Sequence, residues 1–528
     1  MRTIPASATL TFALAALLAA AGAPAQDNRL PDIGSSAGSV LSPAQQAEYG
    51  AMTLSQLRNY GYTLDDPMLA GWLQSMGQRL GAASDKPTQE FTFFLLGDRQ
   101  INAFATLGGY IGVNAGLVLA ADSEDEVAAV VSHEIAHVTQ AHVLRAVEQA
   151  QRERIPILLA MLGAIAVAQS SGGNSSGNAT MAALASAQGL MIQRQIDYTR
   201  GNEAEADRVG IRILARGGYD PAAMAGFFEQ LQSVVRQTEG RESTPDYLQT
   251  HPVTTSRISE ARDRARQIAA NQRPFLAASR ASDNLLLPSS LHVVASAGGG
   301  DSGQFRWARE RLRVLSADTP AMALREYERI ARSSKLDDAQ RYGLALARYL
   351  DGHAVQAAAE LQALADANQG NAWLELALAQ AEARAGRIAQ ADARFEALAT
   401  RMPGSRAVAL TYAGALNERN TSAAGKRAQA LLRPLLASAS DDPVFQQTFA
   451  RASEIAGDPV RAGEAYAEAA FLNGRAEQAL VQLNTLKKRD DVDYYARARI
   501  DARIAAITPT VLELRREGIR DEDLGRGN

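Results

Sequence analysis

The chain has 528 residues, with 54 Lys+Arg against 58 Asp+Glu, a formal net charge of −4 and a hydrophobic fraction of 46%. That balance excludes a polyanion-binding surface, and no basic run alternates with aromatics, so nucleic acid is not an expected partner. There is no cysteine, which excludes disulfides, thiolate ligands and cysteine nucleophiles, and the length accommodates two or three domains of roughly 100–200 residues.

Arg2, the apolar run Leu10 to Ala21 and the small-x-small string Ala23-Pro24-Ala25 have the layout of a secretory signal peptide over 1–25, cleaved near Ala25/Gln26. The run is too short to span a bilayer comfortably, so the mature protein is expected to begin near Gln26 and be soluble. Residues 26–40 read as an extended, turn-rich arm. Ser42-Pro43 is an N-cap followed by proline at the first helical position, which predicts a helix to about Tyr60, and a second follows from Pro67 to about Leu80. Glu90 to Leu96 is aromatic and apolar, as in a buried strand. Leu107 to Asn114 is a second strand whose glycines admit another backbone, so an extended substrate could pair with it by strand addition.

Ser123 and Glu126 form a capping box, and Val127, Val130, Val131 and Ile135 supply an apolar stripe. The helix they predict carries His133-Glu134-Ile135-Ala136-His137 and is expected to continue to about Ala150. Residues 155–168 and Met181 to Ile192 are two apolar runs around a Gly/Ser/Asn stretch. They read as a hydrophobic hairpin or flap, or as two core helices, and the sharper role is peripheral membrane contact through 155–192. Another helix is expected over Asn202 to Ala215, then a polar loop at 236–246 and an interdomain connection at 276–304. Beyond Phe305 the chain becomes Ala/Leu/Arg-rich helix, with turn residues at Asp318, Gly352, Gly386 and Asn420, each 34 apart, and Gly457 37 further on. That is the spacing of tetratricopeptide repeats, in which each helical pair is stable only when a neighbour covers it. The expected architecture is α+β and mainly helical: a catalytic domain over 26–275, an α-solenoid over 305–490 and a helical tail over 491–528.

The chemistry sits on the helix of His133 and His137. Spaced i and i+4, both imidazoles project from one face, as two zinc ligands must. A catalytic zinc site needs a third protein ligand and a general base. Glu134, beside the first histidine, is placed to take a proton from the attacking water and pass it to the leaving amine. The third ligand must come from elsewhere, and Asn202-Glu203-Ala204-Glu205-Ala206-Asp207 offers it. Glu203 and Asp207 share a helical face, so Glu203 could bind zinc while Asp207 hydrogen-bonds a ligand histidine. Glu205 points away from both, and its replacement by glutamine is expected to be nearly neutral. His142, His292 and His353 receive no functional assignment. His251, in Gln249-Thr250-His251-Pro252, is the remaining histidine of interest.

These motifs resemble the M48 family of metallopeptidases, whose pattern is HExxH followed by ExxxD on a later helix, here His133–His137 and Glu203–Asp207. The strings LPDIGSSAGS, INAFATLGGYIGVNAGLV, SHEIAHVTQAH, NEAEADRVGI and THPVTTSRI carry the resemblance over roughly residues 30–265. It implies a gluzincin-like fold, with Glu203 as third ligand to one Zn2+ per chain in a metalloendopeptidase. It also implies a periplasmic location and a role in quality control and assembly of outer-membrane beta-barrel proteins. The implied partners are misfolded or stalled outer-membrane proteins and the beta-barrel assembly machinery, with the repeats recruiting them. Members of that branch carry a histidine in a THP string that can occupy the open zinc position and hold the enzyme latent, and His251 matches it. The alternative is a periplasmic chaperone or adaptor whose repeats carry the main role and whose protease site is largely latent.

Overall fold

The computed structural model describes residues 41–146, 148, 199–238, 247–248, 251–271 and 302–516. The expected signal peptide, the arm at 26–40, the 155–192 hairpin, nearly all of the 276–304 connection and the last twelve residues of the tail lie outside the described residues. Among the described residues no helix is long and apolar enough to cross a membrane.

Helix α1 (Pro43–Asn59) starts on a reciprocal capping box between Ser42 and Gln45. Helix α2 (Pro67–Ala82) is capped by Asp66, whose Oδ1 accepts the Leu69 N–H at 3.0 Å. A three-stranded sheet follows, in the order β1 (Thr92–Leu96), β3 (Tyr110–Asn114), β2 (Ala103–Ala105). β3 runs parallel to β1 and antiparallel to β2. The second predicted strand is therefore the middle strand, with its hydrogen-bonding edges taken on both sides, and it cannot accept a substrate strand. It also starts later than expected, because Leu107–Gly109 form a turn with Gly108 and Gly109 at φ 74° and 85°, a backbone region open to glycine. The outer side of β1 carries a bridge between Thr63 and Leu96. Among the described residues the unpaired edge is thus that of β2.

After α3 (Ala115–Ala120), helix α4 (Glu124–Thr139) carries the HEIAH motif. It ends eleven residues before the expected Ala150, at a turn in which Ala141 takes φ 55°, and a fresh helical segment starts at 142. Helix α5 spans 199–216, followed by α6 (Ala222–Thr238) and α7 (Thr255–Asn271). The first three residues of the expected polar loop belong to α6. The catalytic-half core joins Leu69, Leu73 and Leu80 of α2 to Val127, Val131 and Ile135 of α4 and to Ile111 and Val113 of β3.

From Phe305 onward the chain is helical hairpins: α8 (Phe305–Leu315), α9 (Pro320–Ser333), α10 (Asp338–Leu350), α11 (Ala354–Ala367), α12 (Ala372–Arg384), α13 (Ile388–Arg401), α14 (Arg406–Glu418), α15 (Ser422–Leu432), α16 (Pro443–Ala456), α17 (Pro459–Leu472) and α18 (Ala476–Leu486). The long α19 (Tyr494–Arg516) closes the array. Four of the turn residues read from the sequence, Gly352, Gly386, Asn420 and Gly457, have left-handed φ of 92°, 80°, 51° and 86°, which explains the glycine and asparagine preference. The first helices do not stand apart from the catalytic half. Phe305, Trp307 and Leu312 of α8 belong to the same buried cluster as Trp72 and Met76 of α2. The Trp72 and Phe305 rings lie 6.4 Å apart. Arg311 reaches Asp66 with Nε and Nη2 at 2.8 and 2.6 Å, both residues buried. Arg99 meets Glu326 of α9 at 2.9 Å.

Candidate metal centre

The helix carrying the two histidines is held from below and from its start. Ser123 Oγ accepts the Glu126 N–H at 3.3 Å, while Glu126 reaches back to the Asp122 N–H at 2.7 Å. The acidic first turn, Glu124 to Glu126, complements the helix dipole. Val127, Val131 and Ile135 are fully buried on the core side, which leaves His133 and His137 on the opposing face. Helix α5 crosses that face at backbone distance: a Cβ on Gly210 would lie 3.1 Å from the His133 Cα and N. Glu203 and Asp207 precede Gly210 by two turns and one turn on the same stripe, so this glycine brings both carboxylates onto the histidines.

Four groups converge. His133 Nε2 lies 3.0 Å from His137 Nε2, 3.3 Å from Glu203 Oε2 and 3.4 Å from His251 Nδ1. His137 Nε2 is 3.3 Å and His251 Nδ1 2.9 Å from Glu203 Oε1. One ligand atom from each of the four residues lies within 4.8 Å of the others, and all four residues are buried. Four ligands bonded to one ion at ~2.0–2.1 Å in a tetrahedron sit about 3.3 Å apart, close to these separations. The proton positions point the same way. His133 Nδ1 is 2.9 Å from Asp207 Oδ1, a carboxylate that can only accept, so Nδ1 holds a proton and, in the neutral ring that a metal would bind, Nε2 is a lone pair aimed at another imidazole nitrogen. Two facing lone pairs repel, and either a proton on one ring or a cation between the nitrogens relieves this; a buried metal ion fits these donors.

Electrostatics agree. Burial opposes charge on His133, but its contacts with Asp207 and Glu203 push its pKa up to about 10. Burial opposes ionisation of Glu203 too, yet contacts from His133, His137 and His251 hold its carboxyl far below the usual range. The carboxylates thus create a strongly cation-seeking site: without a metal the cation they hold is the His133 imidazolium itself, whose Nε2 proton a bound metal would displace. Glu134 is buried beside the group, its Oε1 3.7 Å from His251 Nε2.

The model of peptidase family M48 matches residues 67–265. The chain is 32% identical to the beta-barrel assembly-enhancing protease of Yersinia pestis over 483 residues, 91% of this chain and 92% of that protein. The protein of the same name in Escherichia coli K12 is 32% identical over 90% of each chain. A Vibrio cholerae relative of this type is 41% identical over 269 residues, spanning about half of its length, 54%. This chain belongs to peptidase family M48. It is a metallopeptidase of mainly helical α+β architecture with a helical array behind the protease half.

In this M48 chain several residues around the centre carry no signal in local sequence spacing. Arg257, at the start of α7, grips Asp207 with Nε and Nη2 at 2.6 and 2.8 Å, reaches Glu203 Oε2 at 3.0 Å and donates to the Pro252 carbonyl at 2.9 Å. It also lies 4.7 Å over the Phe228 ring. One guanidinium therefore ties the Glu203/Asp207 face to the segment bearing His251. Tyr247 is fully buried and stacks on His251 at 4.8 Å, and the His251 N–H donates to the Tyr247 carbonyl at 2.7 Å. Glu205 does face away from the four-residue group, as its spacing predicts, but it is not idle. It meets His142 Nε2 at 3.3 Å and Arg145 Nη2 at 2.8 Å. His142, which received no assignment, is buried with Nδ1 2.8 Å from His137 Nδ1. Burial, together with the charges of His137 and Arg145, pushes its pKa down to about 4. The only sequence trace of this cluster is its position five residues past His137, which helical spacing disguises because the helix has already ended.

Proposed function

We propose that this chain is a periplasmic zinc endopeptidase that acts in quality control and assembly of outer-membrane beta-barrel proteins. His133, His137 and Glu203 hold one zinc, Glu134 is the general base and Asp207 orients His133. The convergence of two imidazole Nε2 atoms and a glutamate oxygen in a buried, cation-seeking site carries the reading. The client class rests on the likeness to the beta-barrel assembly-enhancing proteases, which align over about nine-tenths of the chain. The catalytic unit is 26–275 and the tetratricopeptide-type array over 305–490 recruits clients or the assembly machinery, with secretion directed by residues 1–25.

When bound, zinc supplies a Lewis acid and brings the pKa of water down to ~7. The chain's own groups do the rest. Glu134 accepts the proton of the attacking water and hands it to the departing amide nitrogen. Asp207, itself clamped by Arg257, keeps the His133 proton on Nδ1. His251 takes the fourth place at rest, so that Tyr247, His251 and Arg257 together close the site against peptides. Opening requires His251 to withdraw from Glu203 and the two histidines, which exchanges its contact for substrate.

The experiment is a pair of substitutions in the full chain, read on an unstructured protein substrate and by metal analysis. His251→Ala should raise unregulated proteolysis while about one zinc per chain is retained. Glu134→Gln should abolish cleavage without loss of metal. A fall in turnover for His251→Ala with zinc intact would rule out the latch, and full cellular function of Glu134→Gln would favour a chaperone.

A further inference from the structure

We infer that His142, held in place by Glu205 and Arg145, is the positioning residue for His137: it fixes the proton on His137 Nδ1 and so presents His137 Nε2 to the metal as a bare lone pair. The inference deepens the zinc reading above and rests on it.

The geometry begins with the end of α4. The helix stops at Thr139, Gln140 caps it, and Ala141 adopts φ 55°. An L-residue in this left-handed region costs on the order of 1–2 kcal/mol, a cost that glycine at the same position would not carry. Such strain persists where the surroundings demand it. Here the left-handed turn folds the chain back so that the His142 ring meets the His137 ring edge-on, centroids 4.7 Å apart at 81°. A continued helix would have carried residue 142 away from His137, since positions five apart do not share a face.

The hydrogen bonds then run one way only. The Glu205 carboxylate can only accept. It takes the Arg145 Nη2–H at 2.8 Å and faces His142 Nε2 at 3.3 Å, so His142 carries its proton on Nε2. His142 Nδ1 is then a lone pair, and the 2.8 Å contact to His137 Nδ1 needs a proton from His137. His137 therefore holds its proton on Nδ1, and its Nε2 is free for the metal. Both metal-facing histidines thus have an outer partner backed by an arginine. For His133 it is Asp207 with Arg257, and for His137 it is His142 with Glu205 and Arg145. The second arrangement is the less charged, because its immediate partner is a neutral ring.

The test uses the full-length zinc-loaded protein, with zinc dissociation measured by competition with a chromogenic chelator and with absorption spectra of the cobalt(II)-substituted form. His142→Phe keeps the ring and removes the acceptor. It should raise the zinc dissociation constant by ~10–100-fold, the range for losing an outer partner of a metal ligand, and shift the cobalt bands. His142→Asn keeps an acceptor where Nδ1 stood and should recover affinity to within ~3-fold of wild type. Glu205→Leu, at a partly exposed site where folding is less at risk, should weaken zinc by about 3–10-fold. A zinc-loaded wild type matched by His142→Phe would overturn the inference alone, as would equal losses for the Phe and Asn variants, which would mark a mere packing role. A wild type that holds no zinc would overturn the metal reading and this inference with it.

Discussion

Replacing Arg311 by methionine tests how firmly the helical array is locked to the protease half. Arg311 is buried at the base of α8 and makes a two-pronged contact with Asp66 at 2.8 and 2.6 Å, while Nη1 lies 3.2 Å from the Tyr342 hydroxyl. Methionine fills most of the volume and deletes the charge. Asp66 would then be buried with only the Leu69 N–H still bound to Oδ1. Removing one partner of a buried pair costs about 3–5 kcal/mol, because the survivor is left unpaired, and that is a large share of a typical stability of ~5–15 kcal/mol. Asp66→Asn in the same background keeps the helix cap, since asparagine also caps well, and removes the stranded charge. The double variant should therefore recover most of the loss, with a coupling of roughly 2 kcal/mol or more. The assay is urea unfolding followed by tryptophan fluorescence. The three tryptophans, Trp72, Trp307 and Trp373, are all buried in the cluster that spans the two halves, so the signal reports the junction directly. A loss under about 1 kcal/mol for Arg311→Met, or a double variant no better than the single, would refute the reasoning.

Gly210→Ala should loosen the metal centre from a distance. Its Cβ would meet His133 backbone atoms at 3.1 Å, so α4 and α5 must part by a few tenths of an ångström, at about 1–3 kcal/mol and with weaker zinc retention against a chelator. Unchanged stability and metal affinity would show that the helices slide freely. The Arg99–Glu326–Arg313 contact across the junction should be pH-dependent. Burial opposes ionisation of Glu326, but hydrogen bonds from Arg313 and Arg99 outweigh it and lower its pKa from 4.5. A folded-state pKa below the unfolded one gives stability that is present above about pH 4.3 and is lost as the pH falls through the folded value. Wild type should therefore exceed Glu326→Gln in stability at pH 7, and the gap should close as the pH falls through the lowered folded-state value of Glu326. A gap independent of pH would mean that the charge is not what the contact contributes.

Features fixed by spacing along one helix were legible in the sequence. The i, i+4 pairs His133/His137 and Glu203/Asp207 each share a face because 3.6 residues make a turn, and the 34-residue spacing of Gly352, Gly386 and Asn420 marks turns that require left-handed backbone. Features that depend on which surfaces meet were not. Arg257 is fifty residues from Asp207 in sequence, and nothing local distinguishes it from any other arginine of a polar helix. Tyr110–Asn114 looked like a strand free to bind a peptide, but only the pairing with both β1 and β2 shows that its edges are used. The continuation of α4 to Ala150 was the natural extrapolation of a good helical pattern. It failed because the contact of His142 with His137 and Glu205 stabilises a left-handed Ala141 that local propensity disfavours. Likewise a change of composition at Phe305 suggested a boundary, whereas the apolar face of α8 finds its cover on Trp72 and the rest of α2. The sequence alone determined which side chains share a helical face. The tertiary structure decided which faces come together, because that choice is set by burial and by pairing of buried charge between segments far apart in the chain.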